Sequence, residues 1–150
     1  MNELGALIRH SPWAYPALEI THIAGFVVLV GSVLVFDLRV LGLGQNIGVR
    51  ELARLTLPFS ISALLLVIPS GLLLFLSDAT AILTNPAFQM KLGLLGLAGL
   101  NAAAFHLGPY QSVSEWDRLA PAPWGGRLGA AASLLLWLSV IAAGRFIAYV

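Results

Sequence analysis

Four apolar stretches, each near the roughly 20 residues that a helix needs to cross a bilayer, constrain this chain more than any motif does. They lie at residues 16–40, 57–76, 87–107 and 127–149, joined by connections that are polar or rich in Gly and Pro. In hydrocarbon a backbone must satisfy its own hydrogen bonds, so stretches of this length become helices. The chain reads as an all-α integral membrane protein: one four-transmembrane-helix bundle over residues 1–150, without room for a separate soluble domain. Composition agrees. Charged residues make up 10% of the chain, against about 25% in soluble domains, and the mean hydropathy is +0.90.

Local signals refine the spans. Asn85-Pro86 is a good helix start, and Pro69-Ser70-Gly71 should kink the second span. The opening MNELGALIRHSPW lacks the basic n-region and cleavage site of a signal peptide, so the first span is expected to stay in the mature protein. An even number of crossings puts both termini on one side. The loops after the first and third spans, with their flanks, carry Arg39, Arg50, Arg54, Arg118 and Arg127. The terminal side has Arg9, Lys91 and Arg145. The positive-inside rule then places the two loops in the cytoplasm and both termini in the periplasm. Trp13, Trp116 and Trp124 read as interfacial anchors, and Trp137 as packing.

Ionisable residues inside such spans are costly and mark candidate functional sites. In ALEITHIAGFVVLVGSVLVFDLRVLG (residues 17–42), Glu19 and His22 lie a turn apart, and Gly25 and Ser32 share their face. On the third span Lys91, Ala98, Asn101, Ala102 and His106 fall on one face, flanked by Gly93, Gly96 and Gly99, which should allow close helix contact. Two polar stripes lined with small residues suit a bundle interior with room for a flat ligand. Depth separates the two histidines. At about 1.5 Å per residue, His106 lies about 22 Å further in than Lys91, whereas His22 shares the level of Lys91. His22 and His106 are therefore not the two axial ligands of one haem. The outer layer gathers Glu19, His22, Asp78, Lys91 and Arg145.

Each of these residues has a plainer reading. His22 can be a neutral imidazole bonded to Glu19 or a carbonyl, holding helices together. His106 and Lys91 can snorkel to the interface. Asp37 and Arg39 can form an interfacial ion pair, and Arg145 can pair with Glu19 or Asp78.

The segments LEITHIAGFVVLVGSVLVFDLRVLG and NPAFQMKLGLLGLAGLNAAAFH, with His22, Asp37-Leu38-Arg39, Lys91, Asn101 and His106, resemble an uncharacterised family of small four-helix bacterial inner-membrane proteins. The resemblance implies a multi-pass protein of the bacterial inner membrane and brings no activity. More distantly, the layout resembles the J-type protoporphyrinogen oxidases and the copper-resistance D proteins. The former are associated with b-type haem, and their His and Lys positions would match His22 and Lys91. The basic and aromatic flanks expected of that enzyme are missing, so its reaction is not carried over. With only Met1 and Met90, copper transport is poorly supported.

These observations converge on a haem b-binding redox or electron-transfer protein, with the haem in the outer half of the bundle. Cysteine is absent, so any haem is held non-covalently. His22 would be the axial ligand, oriented by Glu19 or a carbonyl, and neutral Lys91 or a ligand from elsewhere the sixth. His106 would be a separate metal site. Ala98 and Ala102 would leave space beside Asn101 for the macrocycle, and Arg145 would pair with the propionates. Electrons would come from quinol or a periplasmic redox partner. Two alternatives compete: proton, cation or copper handling through Glu19, His22 and Lys91, and a non-catalytic accessory subunit. The second would use the small-residue faces at residues 129–132 and 142–144 within a homo-oligomer or larger membrane complex. A net charge of +1 without a basic run points away from nucleic acid. Enzyme status stays open, with no nucleophile–base pair, phosphate loop or zinc motif in the sequence to decide it.

Overall fold

The computed structural model describes residues 3–118 and 120–150. Among the described residues seven α-helices form, in the order α1 (Glu3–His10), α2 (Ala14–Val40), α3 (Val49–Ser77), α4 (Ala79–Thr84), α5 (Pro86–Leu107), α6 (Val113–Trp116) and α7 (Trp124–Phe146). A 3₁₀ turn at Pro109–Ser112 precedes α6. Helices α2, α3, α5 and α7 are the four that are long and apolar enough to cross a membrane, which makes this a multi-pass membrane protein.

Two span boundaries differ from the sequence reading. Helix α3 begins at Val49 rather than near residue 57, because VRELARLT adds about two polar turns before the apolar stretch. Helix α7 is displaced toward the N-terminus, Trp124–Phe146 instead of 127–149. The Asn85-Pro86 start holds: the Asn85 side chain accepts from the backbone N–H groups of Ala87 and Phe88. Its amide also donates to the carbonyls of Ile147 and Val150, which fastens the end of the chain to the start of α5. Arg9 reaches the Ser77 carbonyl and lies 3.7 Å from Asp78, so α1 is tied to the same end. Both termini therefore sit at one end of the bundle, the terminal end. The α2–α3 and α5–α7 connections form the other, the loop end.

Helix α2 packs along α3, α5 along α7, and α2 against α7. Helices α3 and α5 barely meet. Their contact includes the stacked rings of Phe75 and Phe88, 5.6 Å apart at the terminal end. The apolar core lies at the loop end, where Val40, Val49, Phe105, Val113, Trp116 and Ala130 cluster. Trp116 is thus no interfacial anchor. It is 3% exposed, and its indole N–H donates to the Pro109 carbonyl and the Ser112 hydroxyl, each at 3.3 Å. Trp13 and Trp124 are exposed, as anchors would be.

The expected Asp37–Arg39 ion pair does not form. Residues two apart on a helix are about 200° apart around its axis, and the two side chains diverge. Arg39 donates through Nε to the Ile47 carbonyl (2.6 Å) and through Nη2 to the Asp117 carbonyl (2.9 Å). Asp117 in turn caps α3: its carboxylate accepts from the Arg50 N–H at 2.9 Å, and its carbonyl from the Val49 N–H at 3.3 Å. Arg118 adds an exposed pair with Glu51 at 2.6 Å.

Asp117→Ala removes a carboxylate cap while leaving the carbonyl that Arg39 uses. It should cost about 1 kcal/mol, seen as a lower thermal unfolding midpoint in detergent. Glu115→Ala, at an exposed position two residues away, should leave the midpoint unchanged.

Candidate functional site

Because α3 and α5 diverge, a half-open cavity of about 1020 Å³ lies between the α2–α3 pair and the α5–α7 pair. That is the upper end of the range for small-molecule sites. Its walls are mainly apolar. Glu19, His22, Lys91, Ala98, Asn101, Ala102 and His106 all line it, so one cavity gathers every candidate site residue of the first and third spans; Arg145, on the fourth, does not line it. Arg145 points elsewhere: it is exposed, donates to the Tyr149 hydroxyl and lies 4.7 Å over that ring.

His22 is positioned by α3. Its Nδ1 lies 3.1 Å from both the Val67 carbonyl and the Ser70 hydroxyl. The carbonyl can only accept, so Nδ1 carries the proton and Nε2 keeps a lone pair. Nε2 makes no hydrogen bond among the described residues. Glu19, expected as an orienting partner, lines the cavity without bonding the imidazole. The ring seats against Gly71, where a β-carbon would come within 2.9 Å of His22 Cε1. The Pro69-Ser70-Gly71 stretch thus matters as a seat for His22; helix α3 runs through Pro58 and Pro69 alike.

Phe26, one turn below His22, connects it to Lys91. The His22 and Phe26 rings stack at 6.5 Å, and the Lys91 ammonium lies 5.8 Å from the Phe26 centroid. The Lys91 stem runs along Gly144, whose missing side chain leaves room for it. Among the described residues no carboxylate is within salt-bridge distance of Lys91. Trp137 meets Phe26 edge-on at 6.0 Å.

Toward mid-cavity the polar groups are satisfied within the chain. Asn101 donates to the Gly129 carbonyl at 2.9 Å, and Ser32 and Ser60 share a hydrogen bond of 2.7 Å between α2 and α3. At the loop end His106 Nδ1 bonds the Ala102 carbonyl of its own helix at 3.0 Å, and the ring lies beside Phe105 and Tyr110. The residue that sequence reasoning missed is Asp37. Released from Arg39, it lines the cavity at 7% exposure. Ser133 lines the same cavity, and Asp37 Oδ2 has no partner among the described residues. The 200° spacing from Arg39 was the signal that could have found it.

Small residues also play roles other than those expected. A β-carbon at Gly93, Gly96 or Gly99 would meet nothing within 4 Å, so these glycines make no close helix contact. The close approaches are at Gly25, against Val67 and Leu66 of α3, and at Gly126 and Gly129 against α5 and the turn after it. The small-residue faces of α7 that could have served a partner subunit are largely spent on packing within the chain: Ala130 and Ala143 are buried, and Gly129 and Gly144 face Asn101 and Lys91. Among the described residues no group of three or more His, Asp or Glu side chains gathers to hold a metal ion.

The model of a family of unknown function, DUF6644, matches residues 14–150, and the chain belongs to that family. No curated protein and no solved structure matches the chain. Nothing in the family match connects it to protoporphyrinogen oxidases or copper-resistance proteins.

Gly71→Ala should push the imidazole off its seat and shift the His22 ring nitrogens in ¹⁵N NMR. Gly93→Ala, in open space and with better helix propensity, should leave those resonances in place.

Proposed function

We propose that this member of a family of unknown function binds b-type haem in the terminal half of its cavity and passes single electrons through it. One observation carries the reading: His22 commits Nδ1 to a carbonyl of α3 and leaves Nε2 to an apolar cavity large enough for a macrocycle. Metal-bound histidines are held in this way, their second nitrogen donating to a carbonyl that fixes tautomer and ring orientation. Haem needs only one or two such ligands, so the lack of a multi-residue metal cluster does not weigh against it. When bound, the group would supply a one-electron couple. The chain's part is to hold His22 by Val67, Ser70 and Gly71, to leave Ala98 and Ala102 small, and to keep the walls apolar.

Lys91 is the cation nearest this region of the cavity and has two roles open to it: sixth ligand, or partner of the propionates in place of Arg145, which turns to Tyr149. An ammonium over an aromatic face retains attraction but lacks an anion. By the positive-inside rule we place the loop end, with its five arginines, in the cytoplasm and both termini in the periplasm of a bacterial inner membrane. Quinol from the bilayer or a periplasmic protein would then donate electrons.

Asp37 favours a second reading, proton or cation handling. It extends the ionisable groups of one cavity from Glu19, His22 and Lys91 to the loop end, with the Ser32–Ser60 pair between them.

The haem reading expects a Soret band from detergent-purified protein made in haem-supplemented cells. His22→Ala should abolish it, and His106→Ala should leave most of it; a colourless wild type, or equal loss in both variants, overturns the assignment. Lys91→Arg sorts the two lysine roles. Guanidinium stays protonated and cannot ligate, so a changed spectrum or potential marks a ligand and an unchanged one a charge partner. The second reading expects cation-dependent proton flux in proteoliposomes that falls at least about tenfold in Asp37→Asn. Flux equal to the wild type would exclude Asp37 from any such path.

A further inference from the structure

A second, smaller pocket of about 160 Å³ opens at the loop end, away from the main cavity. Arg39, Arg118, Arg127 and Gln45 line it, and the remaining lining residues are apolar or Gly. Three guanidinium groups thus share one small space whose walls contain no carboxylate. Their charge is only partly compensated: the Asp117 carboxylate lies near Arg118 beside Gly48 but is not part of the pocket wall. Arg118 has Glu51 at 2.6 Å, in an exposed pair. Arg127 is exposed, and no carboxylate among the described residues reaches it.

Arg39 carries the argument. It is 7% exposed, yet its partners are two neutral carbonyls, those of Ile47 and Asp117. Nη1 makes no hydrogen bond among the described residues. Burying a guanidinium is expensive unless an anion accompanies it, and carbonyls supply hydrogen bonds without supplying the charge. The pocket beside it has room for a tetrahedral oxyanion. Gly42, at φ +111°, forms part of the wall with backbone alone, so nothing there blocks approach. Guanidinium groups match phosphate in both charge and fork geometry. The pocket sits where α2 ends and α7 begins, at the end of two membrane-spanning helices, which is the level of lipid headgroups. Basic pockets at the ends of spanning helices recognise such headgroups.

We propose that this pocket binds one phosphate-type oxyanion, carried by an anionic phospholipid or present as free phosphate, with Arg39 as its buried anchor and Arg118 and Arg127 as its outer arms. Binding would neutralise Arg39 where it fastens the two loops, so the anion should stabilise the loop end. The site is independent of the main cavity and of any haem there.

The test uses purified full-length chain in a neutral detergent, with phosphatidylglycerol, phosphatidylcholine and inorganic phosphate as probes. Thermal unfolding and native mass spectrometry are the readouts. Phosphatidylglycerol should remain bound and raise the unfolding midpoint, whereas phosphatidylcholine should not. Arg118→Gln combined with Arg127→Gln should weaken binding by roughly tenfold or more, from the loss of charge-assisted hydrogen bonds. Both side chains are exposed, so the variant should fold. Arg54→Gln, an exposed arginine at the same end that does not line the pocket, should bind as the wild type does. Inorganic phosphate distinguishes the sources: displacement of the lipid at millimolar phosphate, with the same stabilisation, identifies free phosphate as the sufficient ligand. Stabilisation by phosphatidylglycerol alone identifies the lipid. Equal stabilisation by the two lipids with no effect of phosphate, or equal loss in Arg54→Gln and the double variant, overturns the site.

Discussion

The bundle depends on the Arg39 guanidinium. Placed one residue before the end of α2, it bonds a carbonyl in the α2–α3 loop and another in the α5–α7 connection. Those two segments are 70 residues apart in sequence but adjacent in space, and Asp117 serves both Arg39 and the first turn of α3. A helix start exposes N–H groups that need acceptors, and a carboxylate there also meets the positive end of the helix dipole. One short segment therefore closes the loop end and starts α3. The apolar cluster around Val40, Val49 and Trp116 sits beside this latch. With the loop end fixed, α3 and α5 are free to diverge elsewhere, and the cavity is what that divergence leaves.

Within the spans most polar side chains are quiet. Thr21, Thr56, Ser60 and Ser139 each return a hydrogen bond to the carbonyl four residues back on their own helix. In hydrocarbon this local bonding satisfies a hydroxyl without any partner helix. Against that background the groups not satisfied locally stand out: His22 Nε2, the Lys91 ammonium and Asp37 Oδ2. All three residues line one cavity. The separation between satisfied and unsatisfied groups is a better guide to a site than polarity alone, which would rank Thr21 with Asp37.

Much of this was legible in the sequence, and the failures have physical causes. The four spans and the Asn85-Pro86 start follow from hydropathy and capping, which are local properties. That His22, Lys91, Asn101 and His106 share a cavity follows from helical periodicity. Which neighbour a stripe faces does not, because a glycine ladder looks the same against a helix or against lipid. Gly93, Gly96 and Gly99 therefore read as a contact face, while the close contacts fall to Gly25 and Gly71. Trp116 was misplaced because an aromatic at a membrane boundary can turn inward once a short helix folds over the bundle. The absence of an Asp37–Arg39 pair, by contrast, was legible, since helical geometry alone sets those side chains on opposite sides.

The cavity also constrains what can occupy it. A half-open cavity of about 1020 Å³ is in contact with its surroundings, and apolar walls left bare would forgo their van der Waals contacts. Something fills it. Water finds few partners along mainly apolar walls. Lipid chains entering between α3 and α5 would satisfy those walls but leave Asp37 Oδ2 and the Lys91 ammonium without partners, and such groups are costly in a low-dielectric interior. The occupant that meets both demands has an apolar body and polar atoms at two levels, one near His22 and Lys91 and one near Asp37. A flat, amphiphilic cofactor meets the first level. The second, about 22 Å along the helix axis from the first, lies beyond its reach, so a partner for Asp37 Oδ2 would have to come from a second molecule with a polar group of its own.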